Sequence, residues 1–257
     1  MHQYNMVVMA CQTILLDGAQ GTRLQKFGLP YTTSSPRWNI ENPEKVSEIH
    51  RLYAEAGSQI LLTNTFGALE PSEFEGALRC IEPFSKQCRI AGSIGPHTDI
   101  RHANILTSFI EFYVLETYSD LESARESLKI LEKIGKPVVV SFVWLYEKEF
   151  QLRSGTTLKQ FVDEISPWPL HAVGANCSLG SKRITQLAMS LADQVHFDLW
   201  IKSNAGQPRW VDNIAFYDQT PQEFVADLHP LIGKVQYLGG CCGTDEYFIA
   251  ELQRLCV

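Results

Sequence analysis

At 257 residues, with 45% hydrophobic and 20% charged residues, the chain has the composition of an ordinary globular protein with material for one large core. A net charge of −7 and scattered Lys and Arg, with no basic stripe among aromatics, disfavour a nucleic-acid surface. The longest apolar-rich run, 138–146, is too short to cross a bilayer, and residues 1–10 lack the charged start of a secretory signal. A cytoplasmic protein without a membrane partner is expected. Seven cysteines with no small-secreted spacing read as reduced thiols, some of them metal-bound.

Short apolar runs rich in β-branched or aromatic residues predict strands over 13–16, 59–63, 90–93, 112–116, 138–143, 172–176, 199–202 and 235–238. Helix-like segments lie between them, over 43–56, 73–88, 120–134, 157–165, 182–193, 221–227 and 245–255. Asn42 and Thr220 each precede a proline at the first helical position, and Asp120 is a third capping residue. Gly57 and Gly135 stand where helix C-termini favour glycine.

Strand and helix alternating throughout imply a parallel sheet. Eight strands, and no Gly-x-Gly-x-x-Gly after the first, favour a closed (β/α)8 TIM barrel over an open doubly wound sheet. No linker divides the chain, so residues 1–257 read as one domain. One unit is thin. Only fifteen residues, His97 to Glu111, separate Pro96 from the fourth strand. That connection holds at most a short helix over 103–109, beside a wall that is open or otherwise covered.

Functional groups of such barrels gather at the C-terminal strand ends. Here those ends carry Asp17, Asn64, Ser93, Glu116, Ser141, Cys177, Asn204 and the pair Cys241-Cys242. Adjacent cysteines on a regular strand point to opposite faces, but Gly239, Gly240 and Gly243 let the chain kink and both sulfurs turn to one point. With Cys177 they make three convergent thiolates and a vacant fourth position, the donor set of a zinc (Zn2+) site open to substrate. A vicinal disulfide is the strained alternative. Cys11, Cys80, Cys88 and Cys256 read as buried apolar residues. Asp17 alone would be a turn residue or cap, and Glu116 a costly strand-end carboxylate in want of a cation. His97 and His102 read as solvent-facing loop residues. Trp144 and Tyr146, after strand five, suit donor-side lining or packing equally.

The motifs Asp17-Gly18-Ala19-Gln20-Gly21-Thr22, Leu62-Thr63-Asn64-Thr65-Phe66-Gly67-Ala68, Ala91-Gly92-Ser93-Ile94-Gly95-Pro96, Glu116-Thr117, Gly174-Ala175-Asn176-Cys177-Ser178, Asn204-Ala205-Gly206-Gln207-Pro208 and Gly239-Gly240-Cys241-Cys242-Gly243-Thr244 run through the whole chain. In this order they resemble the homocysteine S-methyltransferase family. The resemblance implies a zinc-dependent barrel with Cys177, Cys241 and Cys242 as ligands. It implies that Asp17 and Glu116 hold the substrate's amino group, with amides of the 17–22 turn, including Gly18, Ala19 and Thr22, near its carboxylate. Asn64, Ser93 and Asn204 fall at pocket-lining positions.

The expected reaction methylates homocysteine to methionine, as in methionine biosynthesis. The chain is shorter than typical members, with length missing between Phe66 and Gly92 and between Pro96 and Phe112, which leaves donor recognition and a homo-oligomer open. No cobalamin or folate module follows the barrel in this sequence. A small sulfonium donor, S-methylmethionine or S-adenosylmethionine, is therefore favoured. The alternatives are a homocysteine-activating subunit fed by a separate corrinoid protein, and a non-catalytic zinc- or thiol-binding barrel.

Overall fold

The computed structural model describes residues 13–212 and 214–256; Cys11 lies outside them. Eight parallel strands form one sheet: β1 (Ile14–Leu15), β2 (Ile60–Leu62), β3 (Arg89–Ile94), β4 (Phe112–Tyr118), β5 (Val138–Phe142), β6 (Ala172–Gly180), β7 (Asp198–Asn204) and β8 (Tyr237–Gly240). Each strand pairs with its sequence neighbour, and β8 pairs with β1. A parallel bridge between Leu16 and Ile60 joins β1 to β2 and closes the ring. The fold is a TIM barrel.

The helices are α1 (Gly21–Lys26), α2 (Trp38–Glu41), α3 (Pro43–Glu55), α4 (Pro71–Ile81), α5 (Leu121–Glu132), α6 (Leu158–Ile165), α7 (Ser181–Ala192), α8 (Pro221–Leu228) and α9 (Glu246–Gln253). Asp120 caps α5 by accepting from the Ser123 amide at 2.8 Å. Thr220 and Glu223 cap α8 reciprocally. Asn42 does not cap α3 through its side chain; proline at the first position leaves one fewer amide to satisfy. Helix α4 begins two residues before the expected 73, because Glu70 and Glu73 form a capping box. It gives way to a 3-10 turn, Glu82–Phe84, at Pro83, which has no N–H to continue the ladder. Gly57 (φ 101°) and Gly135 (φ 80°) take the left-handed conformation after α3 and α5.

The thin connection between β3 and β4 is a 3-10 helix, Ile100–Leu106, three residues ahead of the expected position. The wall there is covered. Ala103, Leu106 and Ile110 are buried, and β3 and β4 pair without a break. Two hairpins emerge after β5 and β7, pairing Trp144–Tyr146 with Phe150–Leu152 and Arg209–Val211 with Ile214–Phe216. Their strands are too short to show a clear alternation in the sequence. Trp144 is buried against Phe161, at 4.8 Å between centroids, while Tyr146 is exposed.

Two apolar compartments hold the fold. One lies between sheet and helices; the other is the barrel interior, built from Leu16, Ile60, Leu62, Ala91, Phe112, Val114, Val139, Ala172, Trp200 and Tyr237. Side chains alternate along a strand, so the next inward residue stands two positions on. Stepping upward in twos from this apolar floor gives Asn64, Ser93, Glu116, Ser141, Asn176, Lys202 and Cys241. The interior turns polar within one or two inward steps, at the C-terminal mouth.

Tight packing of β6 on β7 depends on Gly174, where an added Cβ would lie 1.7 Å from the Trp200 carbonyl oxygen. Gly174→Ala is expected to destabilise the protein by at least about 3 kcal/mol, since backbone on both sides leaves nowhere to relax. Urea unfolding measures this; an unchanged midpoint would contradict the strand packing described.

Candidate metal centre and substrate cavity

The three cysteines expected to converge do so. The sulfurs of Cys177, Cys241 and Cys242 all lie within 4.8 Å of one another, with Cys177 and Cys242 3.7 Å apart. A tetrahedral zinc with Zn–S bonds of about 2.3 Å separates its sulfurs by about 3.8 Å, so the spacing fits that ion. Cys241 arrives by strand alternation. Cys177 and Cys242 arrive by distortion. Cys177 (φ 58°) and Ser178 (φ 53°) are left-handed, an uncommon state for residues with a Cβ, and the β6–β7 register shifts between Asn176 and Gly180.

The glycines flanking the pair act differently from expectation. Neither Gly239 nor Gly240 is left-handed; their bare Cα atoms permit close approach, an added Cβ at Gly240 meeting the Thr244 hydroxyl at 2.2 Å. Only Gly243 (φ 85°) supplies the kink. The loop is pinned on both sides. The Cys241 amide donates to Ser203 O at 2.6 Å, the Ala205 amide to Cys242 O at 3.0 Å, and the Gly243 amide to Thr22 Oγ1 at 3.1 Å.

Electrostatically the sulfurs behave as a unit. Hydrogen bonds from Cys241 and Cys242 pull the Cys177 thiol down to about 3, and Asn204 adds a bond to the same sulfur. Donating to Cys177 pushes Cys241 up to about 12 and lifts Cys242 as well. All six described cysteines are free thiols; Cys80 and Cys88 are buried and Cys256 partly so.

The triad borders a cavity of about 310 Å³ at the barrel mouth. Its lining includes Gly18, Ala19, Thr22, Asn64, Ser93 and Glu116 of the expected site, together with Gln20, Thr63, Phe66, Asn176 and Lys202. The Ala19 amide is already taken by Thr244 Oγ1 at 3.2 Å. Asn64 donates to Ser35 O and Asn39 Oδ1, leaving its own Oδ1 buried without a partner. Neither Asp17 nor Asn204 borders the cavity. Asn204 lies behind Cys177, and His97, His102, Trp144 and Tyr146 lie elsewhere.

Glu116 is partly buried and opens on the cavity. Ser93 Oγ donates to its Oε1. Burial pushes the carboxyl up to about 7, against the pull of Lys202 and the Ser93 bond. Asn176 fixes the backbone after it: Asn176 Oδ1 accepts from the Thr117 amide at 2.9 Å and from Ser141 Oγ at 2.7 Å, holding left-handed Thr117 (φ 66°) in place.

Two residues at the site were not anticipated. Lys202, 4% exposed, donates to Asp17 Oδ1, while the Leu62 amide donates to Asp17 Oδ2 at 2.8 Å. Burial disfavours the Lys202 charge, but Asp17 and Glu116 more than compensate and hold its pKa above the usual value. Burial raises the Asp17 carboxyl, opposed chiefly by Lys202. The signal was a lysine two positions after Trp200 in an apolar strand, since an inward lysine needs a carboxylate. The second is Tyr217, whose hydroxyl donates to the Cys242 sulfur and whose ring packs over Gly243. Nothing in the local sequence marks it.

No helix among the described residues is long and apolar enough to cross a membrane. The structure resembles the homocysteine methyltransferase MmuM from Escherichia coli. Its metallated form aligns with TM-score 0.76 and 20% identity, covering 95% of this chain and 96% of that one; the apo form gives 0.73 and 22%. Methionine synthases from Mycobacterium leprae (strain TN) and Mycobacterium tuberculosis (strain ATCC 25618 / H37Rv) are 23% and 24% identical over 98% and 95% of the chain. The chain spans 25% of the length of each. The alignment with the first runs over 303 positions, more than the chain possesses, so that relative carries segments missing here. The pattern that defines the homocysteine S-methyltransferases matches residues 14–256, and the chain belongs to that family.

Proposed function

We propose that the chain is a zinc-dependent methyltransferase that moves a methyl group from a small sulfonium donor to the thiol of homocysteine, giving methionine. The observation that carries this reading is the cysteine triad at the edge of a cavity that also presents Glu116. Cys177, Cys241 and Cys242 would hold the metal. Zinc bound there would take the acceptor sulfur as its fourth ligand and keep it as thiolate at neutral pH.

The protein's own groups set the rest of the reaction. Glu116 and the turn carrying Gly18, Ala19 and Thr22 would face the acceptor's amino-acid end; Asn64 and Ser93 line the remaining wall. Tyr217 and Asn204 hold the sulfurs of Cys242 and Cys177 in place. The acceptor sulfur attacks the donor's methyl carbon, the new S–C bond forming as the old C–S bond breaks. The leaving sulfur keeps the electron pair and becomes a neutral thioether. The acceptor's thiol proton has already gone to solvent. S-methylmethionine and S-adenosylmethionine both fit this balance. Free thiols suit a cytoplasmic, reducing setting. A corrinoid protein as donor is the second reading, favoured by relatives that are methionine synthases of which the chain spans 25%.

A panel of methyl donors with homocysteine and zinc-loaded protein tests the proposal. Methionine should form with a sulfonium donor, and Cys241→Ala should lose zinc and at least about 100-fold in turnover, as removal of a metal ligand does. Retention of zinc and full turnover by that variant would show the site to be misassigned. Turnover only after addition of a methylated corrinoid protein would select the second reading.

Glu116 offers an independent test in the metal-free, ligand-free protein. Its folded pKa of about 7 exceeds the ordinary value of 4.5, so the folded state pays to ionise it. Stability associated with this group is intact below the ordinary value and declines as pH rises toward the folded one, by at most about 3 kcal/mol. Glu116→Gln should therefore unfold at higher urea than wild type near about pH 8 and lose that advantage by about pH 4. A difference independent of pH would refute the elevated pKa.

A further inference from the structure

The cavity contains one cation that methyl transfer does not require. Lys202 lies two positions above Trp200 on β7, borders the cavity, and is almost fully buried. It donates to Asp17 and is attracted by Glu116. These are the two carboxylates expected to hold the acceptor's amino group. Asp17 itself has no face on the cavity, and both its oxygens are engaged, one by Lys202 and one by the Leu62 amide.

An incoming ammonium group would therefore meet Glu116 alone, with another ammonium group already attracted to it. Two like charges in a cavity of this size repel, and the repulsion is stronger away from bulk water. Lys202 has three N–H donors, of which Asp17 takes one. The others suit an acceptor carboxylate.

Given the thiol-activating role assigned to the triad, we infer that Lys202 stands in for the acceptor's ammonium and so sets the acceptor class as short thiol carboxylates in which an α-amino group is not required for binding. Homocysteine belongs to that class. Its desamino analogue, 4-mercaptobutanoate, is the simplest other member. Lys202 is then a specificity-determining residue: without its charge, Glu116 would meet the substrate's ammonium group unopposed.

Calorimetric titration of zinc-loaded protein with both thiols reads this directly, alongside KM and kcat for each. Wild type should bind homocysteine and 4-mercaptobutanoate with dissociation constants within about threefold, because the amino group gains no unopposed partner. Lys202→Met should shift the ratio toward homocysteine by about tenfold or more, chiefly in KM, and Lys202→Arg should restore the wild-type ratio. The wild-type comparison stands even if Lys202→Met folds poorly with Asp17 left unpaired. Homocysteine binding to wild type tenfold or more tightly than the desamino analogue would overturn the inference. So would an unchanged ratio in well-folded Lys202→Met. Failure of the thiol-activating reading has a different signature: zinc-loaded protein that takes up no thiol at all, 2-mercaptoethanol included, overturns both together.

Discussion

A closed barrel directs every second residue of eight strands into a cylinder with little access to water. The rest of this structure follows from how the chain meets that constraint. Over the lower layers the inward residues are apolar and large, with Phe112, Trp200 and Tyr237 packing edge to face or tilted at 5.3–6.3 Å between centroids. One or two inward steps higher the same alternation delivers Ser93, Glu116, Asn176, Lys202 and Cys241. These groups are buried or partly buried, and most of them satisfy one another. Lys202 pairs with Asp17, Ser93 with Glu116, and Asn176 with Ser141 and the Thr117 amide. The cavity is what this mutual satisfaction leaves over.

Regular strands alone would not bring three sulfurs together, because two of the three positions fall out of inward phase. The chain corrects the phase with local strain. Cys177 and Ser178 occupy left-handed backbone beyond Asn176, and Thr117 does the same on β4. Such residues typically cost about 1 kcal/mol or more each and persist where surrounding bonds over-determine them. Here the supports are visible in the Asn176 bonds around Thr117 and in Ser178 Oγ, which accepts from the Trp144 amide at 3.2 Å. On the opposite side the Cys241-Cys242 loop is tied to β7 and to α1. The cysteine triad is thus held by two independently anchored segments.

Most of the architecture was legible in the sequence because the strands are short, apolar and regularly spaced. All eight predicted strands exist, and the long helices were displaced only where proline or a capping box moved their ends, as in α4. Cysteines flanked by glycine announced the convergence of the three sulfurs in the same way. Legibility failed where a residue acts through contacts distant in sequence. Tyr217 reaches Cys242 from the end of a hairpin that no alternation announces. Asp17 was expected to hold the substrate's amino group; in the structure its carboxylate accepts from Lys202 and from the Leu62 amide, a pairing no local pattern announces.

Lys202 is the instructive case, since the rule that reveals it was already available. Counting inward positions in twos from Trp200 places 202 inside the barrel, whereas attention to polar strand ends passes over it for Asn204. A buried lysine is tolerated only with a carboxylate at hand, and Asp17 meets that need from β1, the second strand along from β7. Truncating either partner would strand a charge in the barrel, so the pair is a structural necessity once it exists. That necessity constrains chemistry. Asp17 is committed to Lys202 and the Leu62 amide, which leaves Glu116 and Lys202 as the charged side chains that line the cavity.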